Sequence, residues 1–220
     1  WKNVVPAHKK IYGSKKLSVF LNSYAFNNIA STNTDQFLLA HRNATILANY
    51  LDWMAKFDWN ITFYACQTSS ENDDRICSSF VYLLMKDKNR ANWIADKLEW
   101  KQVVEAISAS DLVLSMRYHP TLVALISGVP LVDITHHDKN RNFIKQINLD
   151  LVSTDYNSLS QQKLVECTQN AENMALYESN IIKLRSEAKN QWANFNKEWQ
   201  MFLKEKGSNK CVALKTITTS

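Results

Sequence analysis

Short apolar runs alternate with amphipathic segments of helical period along most of this 220-residue chain. The runs that have the length and the β-branched or aromatic content of strands cover residues 17–21, 59–66, 93–95, 111–116 and 129–134. The segments between them carry apolar residues at spacings of three and four, and the longest such stripe is Phe37, Ala40, Ala44, Leu47, Leu51 and Met54. Strands that alternate with helices favour a parallel sheet with helices on both faces, so the expected fold class is α/β.

Residues with special conformational preferences mark where the helices begin and end. Thr34 is expected to cap the first helix, and Asp73 and Asp74 are expected to be caps at the start of the second. Pro120 suits the first position of a helix that ends at Gly128, the expected left-handed cap. The chain has 3 Gly and 3 Pro, too few for the many tight turns of most all-β folds.

The long helical pattern near the end of the chain sets the predicted domain organisation. It runs from residue 160 to residue 206 without Pro or Gly. We therefore expect one α/β domain over residues 17–206 that includes this helical tail. Residues 1–16 are predicted to be a linker or the remnant of a missing upstream domain, and residues 207–220 a C-terminal tail.

Charge and cysteine usage narrow the possible partners. Lys+Arg 26 against Asp+Glu 21 gives a net charge of +5 without a basic stripe, so no nucleic-acid partner is expected. No apolar stretch approaches the roughly 20 residues that a membrane span needs. The 4 cysteines lack CxxC spacing, which predicts reduced thiols and a cytoplasmic location.

Polar residues follow several of the predicted strands, where an open α/β sheet binds its ligands. The junction after residues 111–116 places Arg117 and His119 between a strand and a helix. The helix N-terminus favours an anion, Arg117 adds a planar donor for carboxylate or phosphate, and His119 can donate a proton near neutral pH. Asn22 and Gln67 follow two earlier strands and Lys139 follows the last, so these three are candidate binding residues.

The sequence around this junction resembles the C-terminal half of the polysaccharide pyruvyl transferase family. The residues that carry the resemblance are 108–119 (SASDLVLSMRYH), 125–132 (LISGVPLV) and 138–139 (DK). It extends more loosely over most of the chain. It implies a Rossmann-like domain that binds the donor and forms one half of a GT-B-like architecture, with the acceptor-binding half upstream.

The resemblance also implies a reaction, the transfer of a pyruvyl group from phosphoenolpyruvate to two hydroxyls of a sugar in a glycan or glycolipid, with no metal or cofactor. Arg117 would hold the phosphate or carboxylate, His119 would protonate the vinyl carbon, and Lys139 would offset the charge of the departing phosphate. Tyr118 replaces the usual Leu and would narrow the donor pocket, and Asn22 stands where some members have Arg. Because a strand-end Arg aimed at a ligand has little structural role, Arg117→Ala is expected to leave the fold intact.

Two other functions fit the same fold. A GT-B-type glycosyltransferase donor domain would bind a nucleotide sugar, and its ribose-binding acid would be Asp133 or Asp138. A non-catalytic Rossmann-like module would serve only in binding or assembly. His136 and His137 are adjacent in an extended segment and should point apart, so no metal site is predicted. Trp100 is expected at the core or its rim and not in sugar stacking.

Overall fold

A parallel sheet of six strands forms the centre of the fold. The computed structural model describes residues 14–23, 33–69 and 72–173, together with positions 182, 186 and 190. Within this part the sheet order is β5-β2-β1-β6-β7-β8, and β3 and β4 pair in a separate antiparallel hairpin. The strands are β1 (Lys15–Phe20), β2 (Trp59–Phe63), β3 (Thr68–Ser69), β4 (Asn72–Asp73), β5 (Ala91–Trp93), β6 (Leu112–Ser115), β7 (Leu131–Thr135) and β8 (Ser153–Asp155). The predicted α/β class with a parallel sheet is confirmed.

Helices connect the strands and cover the sheet. They are α1 (Thr34–Lys56), α2 (Asp74–Leu84), α3 (Trp100–Ser108), α4 (Tyr118–Ser127), α5 (Asp138–Gln146) and α6 (Gln161–Glu172). Two short 3-10 helices, Asp150–Val152 and Tyr156–Ser158, flank β8. Helix α1 packs against α2 and α6, and α3 packs against α4. Because right-handed crossovers from β1 and from β6 run in opposite directions across the sheet, α1 and α4 lie on opposite faces.

Burial on both faces explains why the strands read as continuous apolar runs. Every residue of β6 and β7 is buried. The register places Leu17 beside Leu112, and Val113 beside Leu131. A strand that has helices on both sides needs apolar residues at successive positions, whereas a half-exposed strand alternates.

Several helix ends differ from the predicted ones by a residue or two. The cap of α1 is Asn33 and not Thr34, because the Asn33 side chain accepts two backbone N–H groups of the first turn. Helix α4 begins at Tyr118, so Pro120 is its third residue and not its first. Gly128 has a φ of 72° and ends α4 as predicted. The α1 stripe is buried from Ala40 to Met54, as its spacing predicts.

The edges of the sheet were predicted less well than its centre. The predicted strand at 93–95 lies two residues earlier, as β5. Strand β8 was missed because it has three residues, two of them only partly buried, and so carries no apolar run. The hairpin of β3 and β4 was not predicted, since its strands have two residues each.

The predicted helical tail begins as α6. Contacts divide the chain into two units, Trp1–Asn180 and Ile181–Ser220, and the described positions of the second unit, Ile182, Ser186 and Asn190, are helical. The rest of the predicted tail after residue 173 lies outside the described residues, as do residues 1–13 and 191–220. None of the helices in the described ranges is long and apolar enough to cross a membrane.

Candidate active site

The candidate site lies where the direction of chain progression across the sheet reverses. From β1 the chain steps to β2 and β5 on one side, and from β6 it steps to β7 and β8 on the other. This is the strand order of a Rossmann fold, which binds ligands at the carboxyl ends of the strands beside the point of reversal. Here that point lies between β1 and β6, so the residues that follow them, from Leu21 to Ser23 and from Met116 to Arg117, flank the crevice.

Arg117 is fixed in this crevice through both its backbone and its side chain. Its backbone N–H donates to Ser115 Oγ at 3.0 Å. In the guanidinium, Nη1 donates to Gln67 Oε1 at 3.1 Å, and Nη2 donates to Ser23 Oγ at 3.4 Å and pairs with the Asp74 carboxylate. The side chain is 16% exposed. Sequence reasoning placed Arg117 at the site, but its expectation that Arg117 has little structural role is wrong.

Asp74 is the central acceptor of this arrangement and is fully buried. Its Oδ1 accepts the backbone N–H of Ser23 at 3.0 Å and the Arg117 guanidinium. Its Oδ2 accepts the backbone N–H groups of Cys66 at 3.2 Å and Gln67 at 3.0 Å. One carboxylate thus joins the segments that follow β1, β2 and β6.

Sequence reasoning treated Asp73 and Asp74 alike, as caps of the second helix. The cap of α2 is Asp73, whose side chain accepts the N–H of Arg75, and Asp74 is the first residue inside the helix. A helix has one N-cap position, so only one of two adjacent acids can be the cap. This was a weak sequence signal that the other acid, Asp74, has a different role. That it contacts Arg117 becomes apparent only in the folded chain.

Three of the five N–H groups of the Arg117 guanidinium have partners among the described residues, one on Nη1 and two on Nη2, so donors remain on Nη1 and on Nε. The Nε atom is buried and has no hydrogen-bond partner among the described residues. An unpaired buried donor costs about 1–3 kcal/mol. Proteins pair almost all such donors, and a ligand or an ordered water is an expected partner for an exception in a cleft. The Nε–H group of Arg117 is therefore an unused donor close to the point of reversal of the sheet.

His119 lies two residues further along, on the first turn of α4, with its ring exposed. The ring packs edge-on against Trp100 at a centroid distance of 5.9 Å and against Tyr118 at 5.6 Å. The ring nitrogens of His119 make no hydrogen bond to a backbone group of the described residues. The structure therefore does not support a role for the ring in capping the helix. Trp100, expected at the core or its rim, is 51% exposed and borders the site.

Lys139 reaches the same edge of the sheet from the first turn of α5. Its Nζ lies 4.0 Å from the centroid of the Tyr118 ring, close enough for a cation–π contact. Tyr118 in turn packs edge-on against Phe143 at 5.3 Å. Tyr118 thus stands between the exposed ring of His119 and the ammonium group of Lys139, and the sequence-predicted residues Tyr118, His119 and Lys139 come together.

The other two predicted binding residues are placed differently. Asn22 is buried directly after β1, and it is the next residue, Ser23, whose hydroxyl accepts from Arg117. Gln67 is half-buried and uses its side chain to accept from Arg117 and its backbone N–H to donate to Asp74. Ser23 was not selected from sequence, because a lone Ser in a polar loop carries no distinguishing signal.

The two acids considered for a ribose differ in their accessibility. Asp133 lies inside β7 and is fully buried, where it accepts from Thr121 Oγ1 at 2.9 Å and Ser153 Oγ at 3.3 Å. Burial raises the pKa of Asp133 to about 6 despite these hydrogen bonds. Asp138 is exposed and pairs with Arg141 within α5. Asp133 is therefore inaccessible to a nucleotide.

The adjacent histidines after β7 also differ from expectation. The rings of His136 and His137 do not point apart, since their centroids lie 4.7 Å from each other, and His136 packs edge-on against Tyr156 at 5.0 Å. Burial, and then the charge of His137, lower the pKa of His136. Within the described ranges, no group of three or more His, Cys, Asp or Glu is arranged to hold a metal ion.

Solved structures are similar to the chain, and the first of the three described here shares its fold. The chain is 13% identical to a structure of the Thermobaculum terrenum O-GlcNAc transferase mutant K341M, with a TM-score of 0.52 over 84% of this chain and 34% of that one. It is 14% identical to the glycotransferase of kitacinnamycin, with a TM-score of 0.48 over 84% of this chain and 41% of that one. A putative UDP-N-acetylglucosamine 2-epimerase from Listeria monocytogenes is 12% identical, with a TM-score of 0.48 over 82% of this chain and 43% of that one. The chain thus spans less than half the length of each.

Sequence comparison adds the family. No curated protein matches the sequence. The family described as polysaccharide pyruvyl transferase matches residues 9–138, more than half of the chain. The matched range includes every described element from β1 to β7 and therefore Asp74, Arg117 and His119. Because this family model matches more than half of the residues, and the Rossmann-like sheet agrees with it, the chain belongs to the polysaccharide pyruvyl transferase family.

Proposed function

We propose that this chain carries the donor site of a pyruvyl transferase, which moves the pyruvyl group of phosphoenolpyruvate onto two hydroxyls of a glycan or glycolipid sugar to form a cyclic ketal. The observation that carries this proposal is the Arg117 guanidinium beside the point of reversal of the sheet, whose Nε–H has no partner among the described residues. Family membership supports a glycan-modifying transferase. The acceptor is proposed to bind mainly to a second half of the enzyme.

Charge and hydrogen-bond donors in the crevice suit a small anion. Phosphoenolpyruvate carries a carboxylate and a phosphate, and the Arg117 guanidinium can donate to either. The N-terminus of α4 adds the positive end of a helix dipole, and the side chain of its N-cap residue, Arg117, does not hydrogen-bond to the first turn. Because Asp74 offsets the charge of Arg117, the net positive charge of the site would come from Lys139, which has no ion-pair partner among the described residues.

His119 is assigned the proton transfer. It would donate its proton to the vinyl carbon, C3, so that C2 becomes electrophilic and is attacked by the first sugar hydroxyl. The C2–O bond to phosphate then breaks, and the second hydroxyl attacks C2 to close the ketal. Of the two hydroxyl protons, one restores the proton of His119 and the other leaves with inorganic phosphate. Lys139 would stabilise the charge on the departing phosphate.

Ligand-dependent stability of the chain tests this assignment. Phosphoenolpyruvate at about 100 times its dissociation constant should stabilise the fold by about 2.7 kcal/mol and raise the melting temperature by about 5–10 °C. 3-Phosphoglycerate is a matched control, since it has a carboxylate and a phosphate but no enol. Stabilisation by UDP-sugars and not by phosphoenolpyruvate would replace the proposal with a nucleotide-sugar donor domain. No shift with either ligand would favour the non-catalytic binding module.

A turnover assay tests the reaction itself. The protein, phosphoenolpyruvate and a panel of pyranosides with free pairs of hydroxyls should release inorganic phosphate only when an acceptor is present. The product should gain the mass of pyruvate less one water and carry the ketal methyl group in its proton spectrum. Phosphate release without a ketal product would contradict the pyruvyl transfer.

A further inference from the structure

The buried carboxylate of Asp74 organises the donor crevice, although Asp74 was not predicted to contact the ligand. Asp74 has no exposed surface, and it accepts three backbone N–H groups as well as the Arg117 guanidinium. The donors belong to three segments that meet only in the fold, after β1, after β2 and after β6. A helix cap would need none of these long-range bonds, so capping does not explain them.

Gln67 completes the arrangement on the opposite side of the guanidinium. Its Oε1 accepts from Nη1 of Arg117 at 3.1 Å, while its own backbone N–H is held by Asp74 Oδ2 at 3.0 Å. Its backbone carbonyl also accepts the N–H of Asp74 at 2.9 Å. Asp74 therefore acts on Arg117 twice, once directly and once by fixing Gln67.

We infer that Asp74 and Gln67 are positioning residues for the reaction: they hold both Nη atoms of Arg117 and so fix its guanidinium at the carboxyl ends of β1 and β6, where the donor anion is proposed to bind. This inference rests on the proposed function. It changes the role of Gln67 from a residue that contacts the donor substrate to one that acts through Arg117. Arg117 remains the catalytic contact.

Simple electrostatics and positioning predict opposite results for the loss of the Asp74 charge. If Asp74 only offsets the charge of Arg117, Asp74→Asn leaves the site more positive, and an anionic donor should bind more tightly. If Asp74 positions Arg117, the amide cannot accept four donors, since its NH2 group faces N–H groups in place of an oxygen. The guanidinium then loses its orientation, and donor binding should weaken by about 10-fold or more.

The experiment measures donor affinity and the state of Arg117 on the same proteins. Calorimetry gives the dissociation constant for phosphoenolpyruvate, and two-dimensional NMR follows the Nε–H signal of Arg117, assigned by its loss in Arg117→Lys. Asp74→Asn and Gln67→Met are expected to weaken binding, and to shift the Nε–H signal and speed its exchange with water. Asp73→Asn is the matched control, because it removes a neighbouring charge that pairs with Arg75 and keeps a good N-cap. It should leave both readouts unchanged.

Each outcome decides the inference. Weaker binding together with a perturbed Nε–H signal in both variants supports it, whereas tighter binding or an unchanged signal in Asp74→Asn overturns it. If Asp74→Asn does not fold, Gln67→Met decides, since its side chain is half-buried and its backbone bonds to Asp74 persist. If the wild-type protein does not bind phosphoenolpyruvate, the proposed function fails, and the Nε–H signal alone still shows whether Asp74 and Gln67 orient Arg117.

Discussion

Arg117→Ala should weaken the fold as well as the donor site. The substitution leaves Asp74 as a fully buried carboxylate that keeps its three backbone N–H donors but loses its only cationic partner among the described residues. Breaking a buried ion pair from one side costs about 3–5 kcal/mol. Because three hydrogen bonds to Asp74 remain, we expect the lower end, about 3 kcal/mol, or about 6–12 °C in melting temperature for a chain of this size.

Urea unfolding followed by tryptophan fluorescence measures this free energy. The control is Arg75→Ala, which breaks the ion pair with Asp73 at the same helix start, where the Arg75 side chain is 38% exposed. A partly exposed pair of this kind should contribute no more than about 1 kcal/mol. The double variant Arg117→Ala, Asp74→Asn should recover part of the loss, because it also removes the uncompensated charge.

Calorimetry measures the affinity of the same variant, Arg117→Ala, for phosphoenolpyruvate. Loss of the charge-assisted contact should cost about 2–4 kcal/mol of binding, or about 30- to 1000-fold in dissociation constant. An unfolding free energy within about 0.5 kcal/mol of the wild type would refute the structural role of Arg117. Unchanged affinity for phosphoenolpyruvate would refute its role as the donor contact.

Three further substitutions probe the remaining groups. His119→Gln should keep most of the donor affinity and lower turnover by about 10²- to 10⁴-fold in the phosphate-release assay; a wild-type rate would end the general-acid assignment. Lys139→Met should raise the dissociation constant for phosphoenolpyruvate and weaken its dependence on salt, whereas an unchanged salt dependence would show that Lys139 does not contact the anion. The unfolding free energy of Asp133→Asn minus that of the wild type should increase as the pH rises from 4 to 7, by up to about 3 kcal/mol. The reason is that the pKa of Asp133 is raised from 3.8 to about 6, so that its ionisation destabilises the folded wild type over this range and is absent in the variant. A difference in unfolding free energy that does not vary with pH would contradict that pKa.

Local patterns in the sequence were enough to predict the frame of the site. The apolar run of β6, the cap at Gly128 and the positions of Arg117 and His119 between strand and helix each depend on residues within a few turns of the chain. Such features follow from periodicity and from backbone preferences, which nearby residues determine. The central strands were also predictable, since burial on both faces makes them apolar throughout.

Only the tertiary structure determined which residues of the site contact one another. Asp74 and Ser23 both hydrogen-bond to Arg117, although they lie 43 and 94 residues before it in the sequence. They come together because the sheet order places β1 between β2 and β6. A periodic pattern specifies which face of an element is buried, but it leaves open which elements become neighbours. The role of Asp74 depends on that neighbourhood, since a carboxylate at the start of a helix is a cap in one packing and the buried partner of a binding arginine in another.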